Sequence, residues 1–177
     1  MSTRLRAVRA NLIDAEQLAT ALSAVAAAAA NPAERRAQAL ILLRETLQAG
    51  RTLARDRLEG GAGGIETARL LATITDTALV ALYDFTTTHV FPLSANERLT
   101  VMAVGGYGRG AMAPSSDIDL LFLRQAKADP QAEAAIEYML YVLWDLGFKV
   151  GHASRTIDES ISFAREDFTI RLSLIHI

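Results

Sequence analysis

The stretch Val101-Met102-Ala103-Val104-Gly105-Gly106-Tyr107-Gly108-Arg109-Gly110, running on to Ser115-Ser116-Asp117-Ile118-Asp119-Leu120-Leu121, sets a glycine turn between two apolar segments and two acids at the head of the second. Leu99 to Val104 is a β-prone run that stops at paired glycines, so the chain leaves a buried strand through backbone angles that glycine tolerates best. Without side chains at Gly105, Gly106 and Gly108, backbone N–H groups can approach a triphosphate closely, and a short helix beginning near Tyr107 aims its positive end at the same place. Arg109 reads equally as a fixed cation for phosphate or as a solvated surface arginine.

Asp117 to Leu123 reads as a second strand, in which Asp117 and Asp119 stand two residues apart and project from one face while Ile118 and Leu120 point the other way. Two neighbouring carboxylates in an apolar strand repel each other and are costly to desolvate unless a divalent cation neutralises them. Magnesium suits the position, because it takes hard oxygen ligands, keeps several waters and shares its site between carboxylates and substrate phosphates. Paired ions of this kind activate an attacking oxygen and stabilise the leaving pyrophosphate in an in-line displacement. A glycine turn alone, or an Asp-x-Asp pair alone, is ordinary surface structure. Strand, glycine turn, ten residues after Gly106 and then Asp-x-Asp in an apolar run point together to metal-dependent nucleotidyl transfer.

The pattern Gly-Gly-x-Gly-Arg-Gly followed by Pro-x-Ser-Asp-Ile-Asp-Leu-Leu resembles the nucleotidyltransferase domain of the bacterial PII protein uridylyltransferases, members of the DNA polymerase β-like superfamily. Leu143-Trp144-Asp145-Leu146-Gly147-Phe148-Lys149-Val150-Gly151-His152, Ser154-Arg155-Thr156 and Asp167-Phe168-Thr169-Ile170-Arg171 extend the resemblance, which covers about Val101 to Arg171. Tyr107-Gly108-Arg109 favours this family over the related glutamine synthetase adenylyltransferases. The resemblance implies transfer of UMP from UTP to a tyrosine of the PII nitrogen-signalling protein, with Gly105 and Gly106 holding the triphosphate and Asp117 and Asp119 binding Mg2+. It also implies a cytoplasmic protein. Full-length members add an HD-type phosphohydrolase domain and two ACT domains. None of His89, His152 and His176 is followed by Asp, so the UMP-removing activity is not expected of this chain.

The superfamily commonly uses a third carboxylate from a later strand, which the sequence does not place. The expected third strand, Phe148 to Ala153, holds Lys149 and His152 but no acid. Thr156-Ile157-Asp158-Glu159 fits a capping box, and Asp167 fits the start or turn of a helix. His152 reads as a strand histidine satisfied by local hydrogen bonds, with nucleotide phosphate or metal as the other possibility. Beyond Arg171 the family pattern is lost and the sequence reads as cut short.

Half of the 177 residues are hydrophobic and about a fifth charged, enough for a packed core. A net charge of −2 gives no broad electrostatic basis for nucleic-acid binding, and zero cysteines exclude a disulfide framework or thiolate metal site. Arg4, Arg6 and Arg9 ahead of an alanine-rich stretch imitate a secretory signal. Asp14 and Glu16 interrupt it, and the stretch is too short to cross a bilayer.

Three helices are expected next: about Ala15 to Ala30; Pro32 to about Leu58, capped by Asn31 with Glu34 completing the cap; and about Ile65 to Thr88, with Leu71, Ile74, Ala78, Leu82 and Phe85 on its inner face. The arginines of the second, from Arg35 to Arg57, read mostly as a solvated face. Asp129-Pro130 starts a further helix that buries Ile136, Leu140 and Leu143 and ends at Gly147. The expected fold is therefore α+β: a helical region over 1–95, then a nucleotidyltransferase core over 96–177, a polymerase β-like palm of mixed sheet and helices, truncated at its C-terminal end.

Overall fold

The computed structural model describes residues 14–94, 98–125 and 130–174, with residues 173 and 174 described by backbone alone. The chain divides into two compact units, residues 1–90 and 91–177. No described helix is long and apolar enough to cross a membrane.

The first unit is helical. Asp14 caps α1 (Ala15–Ala28), its side chain accepting from the backbone N–H groups of Glu16 and Gln17. Asn31 caps α2 (Pro32–Glu59) through the Glu34 N–H, while the Glu34 carboxylate reaches past the cap to the Ala30 N–H at 3.0 Å. Ala39, Leu43, Leu47, Gly50 and Ala54 recur every three or four residues as the buried stripe of α2. Gly61, in the left-handed region at φ 94°, turns the chain out of that helix.

In α3 (Gly64–Phe85), Ile74, Ala78, Leu82 and Phe85 are buried as expected, but Leu70 takes the inward position and Leu71 is half-buried. The helix also changes character three residues before its expected end. Thr86–Val90 widens into a π-helical turn, where consecutive threonines disfavour regular α-helix and Thr87 bonds back to the Tyr83 carbonyl. Arg35 departs from the expected solvated face, because its guanidinium donates to the His89 carbonyl at 2.8 Å and is partly buried.

The second unit is a three-stranded mixed sheet in the order β1 (Leu99–Val104), β2 (Ile118–Arg124), β3 (Val150–Arg155). β1 pairs antiparallel with β2 across the connection 105–117, and β2 pairs parallel with β3 across a helical crossover. Between β1 and β2 lies the single turn α4 (Gly105–Gly108), and between β2 and β3 lies α5 (Pro130–Asp145). The position before Pro130 lies outside the described residues. Ile136, Leu140 and Leu143 are buried, as the helical spacing predicts. Ile118, Leu120 and Phe122 of β2 and Met139 and Val142 of α5 are almost wholly buried and form the centre of this core.

β3 begins two residues later than its expected start. Gly147 turns the chain at φ 85°, and Phe148 and Lys149 are used in returning to the sheet, where the Lys149 carbonyl accepts from Ile118. Two helices follow, α6 (Ile157–Glu166) and α7 (Phe168–Leu174). Asp167 caps α7 through the N–H groups of Thr169 and Ile170, the structural role its position suggested.

The capping box at the start of α6 is complete: Glu159 N–H donates to Thr156 Oγ1, and Thr156 N–H donates to Glu159 Oε2 at 2.7 Å. That Thr156 N–H holds the Glu159 carboxyl below the usual carboxylate range; burial opposes it, while Arg124 and Arg155 add to it. A carboxylate whose folded pKa is depressed stabilises above its unfolded pKa and stops doing so as pH falls through the folded one. The difference in Tm between the native chain and Glu159→Ala should therefore be present at neutral pH and shrink steadily below about pH 4.3. A gap that stays constant into acid would show that the charge contributes nothing.

Candidate active site

Side chains alternate across a strand, and residues paired in register share a face. Asp119 is paired with Val104 on one side and Gly151 on the other, so these three residues share one face of the sheet. Ala153 and Arg155 follow Gly151 on that face of β3, whereas His152 is on the opposite one. There the imidazole meets Trp144 of α5 edge-on at 6.3 Å between centroids. His152 is exposed and makes no hydrogen bond among the described residues, so the expectation of local hydrogen bonding is not met; an aromatic neighbour takes that place.

The Asp119 carboxylate fits a slot made by two missing side chains. A Cβ on Gly105 would stand 2.6 Å from Asp119 Oδ2, and a Cβ on Gly151 would collide with Asp119 Oδ1. Gly105 also has φ 59°, which lets the turn α4 begin at the first glycine, two residues before its expected start near Tyr107. Gly151 is a site residue that motif reading passed over. Its signal is tertiary: nothing in the local sequence says that β3 must run bare beside β2.

The other turn glycines serve different ends. A Cβ on Gly108 would stand 2.7 Å from the Ala103 carbonyl, so this glycine is needed for the turn to pack on β1. At Gly106 the nearest atom to a built Cβ is Arg109 Nη2 at 3.7 Å, an ordinary contact, and the residue is exposed. Folding does not demand a glycine there. Tyr107 is buried and anchors the turn, and the Arg109 guanidinium folds back to donate to the Gly105 carbonyl at 3.0 Å.

Asp117 lies one residue outside β2, not within it as expected. The chain arrives through Ser115 in the left-handed region at φ 63° and a turn in which Ser116 N–H donates to Ala113, which delays pairing until Ile118. Asp117 is exposed, and no hydrogen bond or ion pair holds its carboxylate among the described residues. An open cleft of about 250 Å³ lies over Asp119, with Val104, Leu121, Ala153, Arg155 and Ile170 among its walls. Among the described residues no group of three or more His, Asp or Glu side chains gathers as a metal site.

A mixed sheet with helices and a glycine turn set against a strand carboxylate is consistent with a small α+β domain of the nucleotidyltransferase kind. Relatives of the chain carry that chemistry in their names. The chain is 56% identical to a bifunctional uridylyltransferase/uridylyl-removing enzyme of Caulobacter vibrioides, over 99% of its own length. It is 58% identical to the enzyme of that name from Phenylobacterium zucineum and 47% identical to that of Rhodospirillum rubrum, over 99% and 97% of its length. The chain is thus a homologue of the bifunctional uridylyltransferase/uridylyl-removing enzymes, and it spans about 19% of the length of these relatives. No family model matches it. No solved structure matches it.

Proposed function

We propose that this chain carries the uridylyl-transferring site of such an enzyme, binding UTP with Mg2+ at Asp117 and Asp119 and passing UMP to a tyrosine hydroxyl of the PII protein in the cytoplasm. The observation that supports this most is the Asp119 carboxylate confined between Gly105 and Gly151, directly beside a glycine turn with open backbone at Gly106. The donor set suits magnesium, which needs only one or two carboxylates when water and phosphate oxygens supply the rest. When bound, the ion would neutralise charge on the phosphates and on the leaving pyrophosphate.

The protein's own part is placement. Gly106 leaves its N–H accessible to phosphate oxygens, Gly108 holds the turn against β1, and Arg109 braces it through the Gly105 carbonyl. Arg109 reaches phosphate only with the guanidinium edge that this bond leaves free. The tyrosine oxygen forms a bond to the α-phosphorus of UTP, the bond from that phosphorus to the bridging oxygen breaks, and pyrophosphate leaves while the tyrosine proton passes to solvent or a base. Removal of UMP is not assigned to this chain.

A second reading has one observation in its favour. Gly151, Ala153 and Arg155 supply no carboxylate on the site face of β3, which suits nucleotide binding without turnover.

Pyrophosphate release from UTP, measured with the full chain, magnesium and PII protein, decides between them. Release that requires both magnesium and PII is the expected result. Tight, magnesium-dependent UTP binding with no release would favour the second reading, and release with another acceptor but not with PII would reject the acceptor.

A further inference from the structure

We infer that the acceptor hydroxyl arrives on an aromatic ring seated against Met102, Leu121 and Ala153, an apolar band one step along β2 from Asp119; this rests on the nucleotidyl-transfer reading. Strand register lays two rows across the site face. Val104, Asp119 and Gly151 form the first, and Met102, Leu121 and Ala153, paired in the same way, form the second. The glycine turn leaves β1 from Val104, so it flanks the first row on the side away from the second. An in-line displacement then has a direction. With the β- and γ-phosphates at the turn and the α-phosphorus at Asp119, the bridging oxygen departs with pyrophosphate toward the turn. The acceptor oxygen bonds to phosphorus from the opposite side, over Met102, Leu121 and Ala153, and its proton passes to solvent or a base.

That side of the site is built for an apolar group. The cleft over Asp119 takes Leu121 and Ala153 from the second row, and Ile170 of α7 walls it. Met102, next to Leu121 in the same row, is 40% exposed, a large apolar side chain left open on this face. Leu121 is almost wholly buried and supplies the floor, whereas Ala153 and Ile170 are half-buried and keep surface to offer. A thioether and aliphatic edges pack favourably on an aromatic ring, while a serine or sugar hydroxyl would leave them wet. At about 250 Å³ the cleft is smaller than the roughly 300–1,000 Å³ of pockets that hold whole small molecules, which suits one side chain offered by a larger acceptor rather than a nucleoside. The step from Asp119 to Leu121 is about 7 Å along the strand, comparable with the reach of a tyrosyl side chain from backbone to hydroxyl.

Photo-cross-linking and steady-state transfer, with the full chain, UTP, magnesium and PII protein, test this. PII carrying p-azidophenylalanine in place of its acceptor tyrosine should on illumination label Met102, Leu121, Ala153 or Ile170, a readout that needs no turnover. Absence of label from all four would overturn the inference. The double variant Met102→Ala, Ile170→Ala should lower kcat/KM for PII by about tenfold or more while UTP affinity changes by less than about twofold. An unchanged kcat/KM would overturn the inference, and so would an equal loss of UTP affinity, which would put the nucleoside in the cleft. Where no transfer occurs, the labelling alone decides. If the native chain transfers UMP to PII but labelling and kinetics both miss the cleft, this inference fails and the transfer reading stands. If the native chain binds no UTP, both fail.

Discussion

Gly151→Ala should reduce magnesium-dependent UTP binding and pyrophosphate release by on the order of 100-fold, close to the loss expected for Asp119→Asn, while the chain remains folded. The methyl group would enter the space of Asp119 Oδ1, and retreat toward β1 is closed because the carboxylate already packs against Gly105. Asp119 would have to leave its rotamer, at about 0.5–1.5 kcal/mol, which a folded unit absorbs. Chemistry does not absorb it, since a displacement of about 1 Å at an oxygen proposed to bind the metal is enough for a loss of that order. Alanine is also better tolerated than glycine in a strand, so Tm should hold. Gly106→Ala provides the contrast, because its methyl group meets only Arg109 at an ordinary distance; any loss there reports on ligand approach to the backbone. Native UTP affinity in Gly151→Ala would mean that the slot does not position Asp119.

Phe122→Ala should destabilise the second unit by about 3–5 kcal/mol. Among the described residues Phe122 is the largest side chain with no exposed surface, in the central strand, on the sheet face opposite Asp119. Its removal forfeits the transfer energy of a ring and leaves a cavity that the neighbouring strands cannot close. A unit of this size is typically stable by only about 5–10 kcal/mol, so the loss is a large fraction of the total. Urea unfolding followed by tryptophan fluorescence isolates the effect, because the single tryptophan, Trp144, lies in α5 of this unit. Far-ultraviolet circular dichroism would meanwhile keep the signal of α1 to α3. A shift below about 1 kcal/mol would show that the core repacks around the vacancy.

Local sequence carried much of the architecture. β1 ends where Gly105 begins, α2 starts at Pro32 behind Asn31, and the Thr156 capping box forms with both reciprocal bonds, because each depends on residues within a few positions of one another. Readings slipped where a segment had to meet something distant. β3 starts late because the Gly147 turn uses two residues before the sheet is reached, and Arg35 leaves solvent for a carbonyl more than fifty residues away.

For the site, the order of glycine turn and Asp-x-Asp in Gly105 to Asp119 pointed to the nucleotidyl-transfer chemistry that the relatives' names carry; phosphate approach and cation binding there are expectations from residue type and spacing. Register is another matter. Pairing β2 with β3 decides that Asp119 lies against Gly151, that Arg155 shares its face and that His152 turns away toward Trp144. A one-residue slip would exchange those faces, and burial of Ile118, Leu120 and Phe122 against the helix side prevents it. The sequence by itself determined which chemical groups are available and in what order; the tertiary structure alone decided which of them meet, because strand register is set by packing the whole sheet rather than by neighbours along the chain.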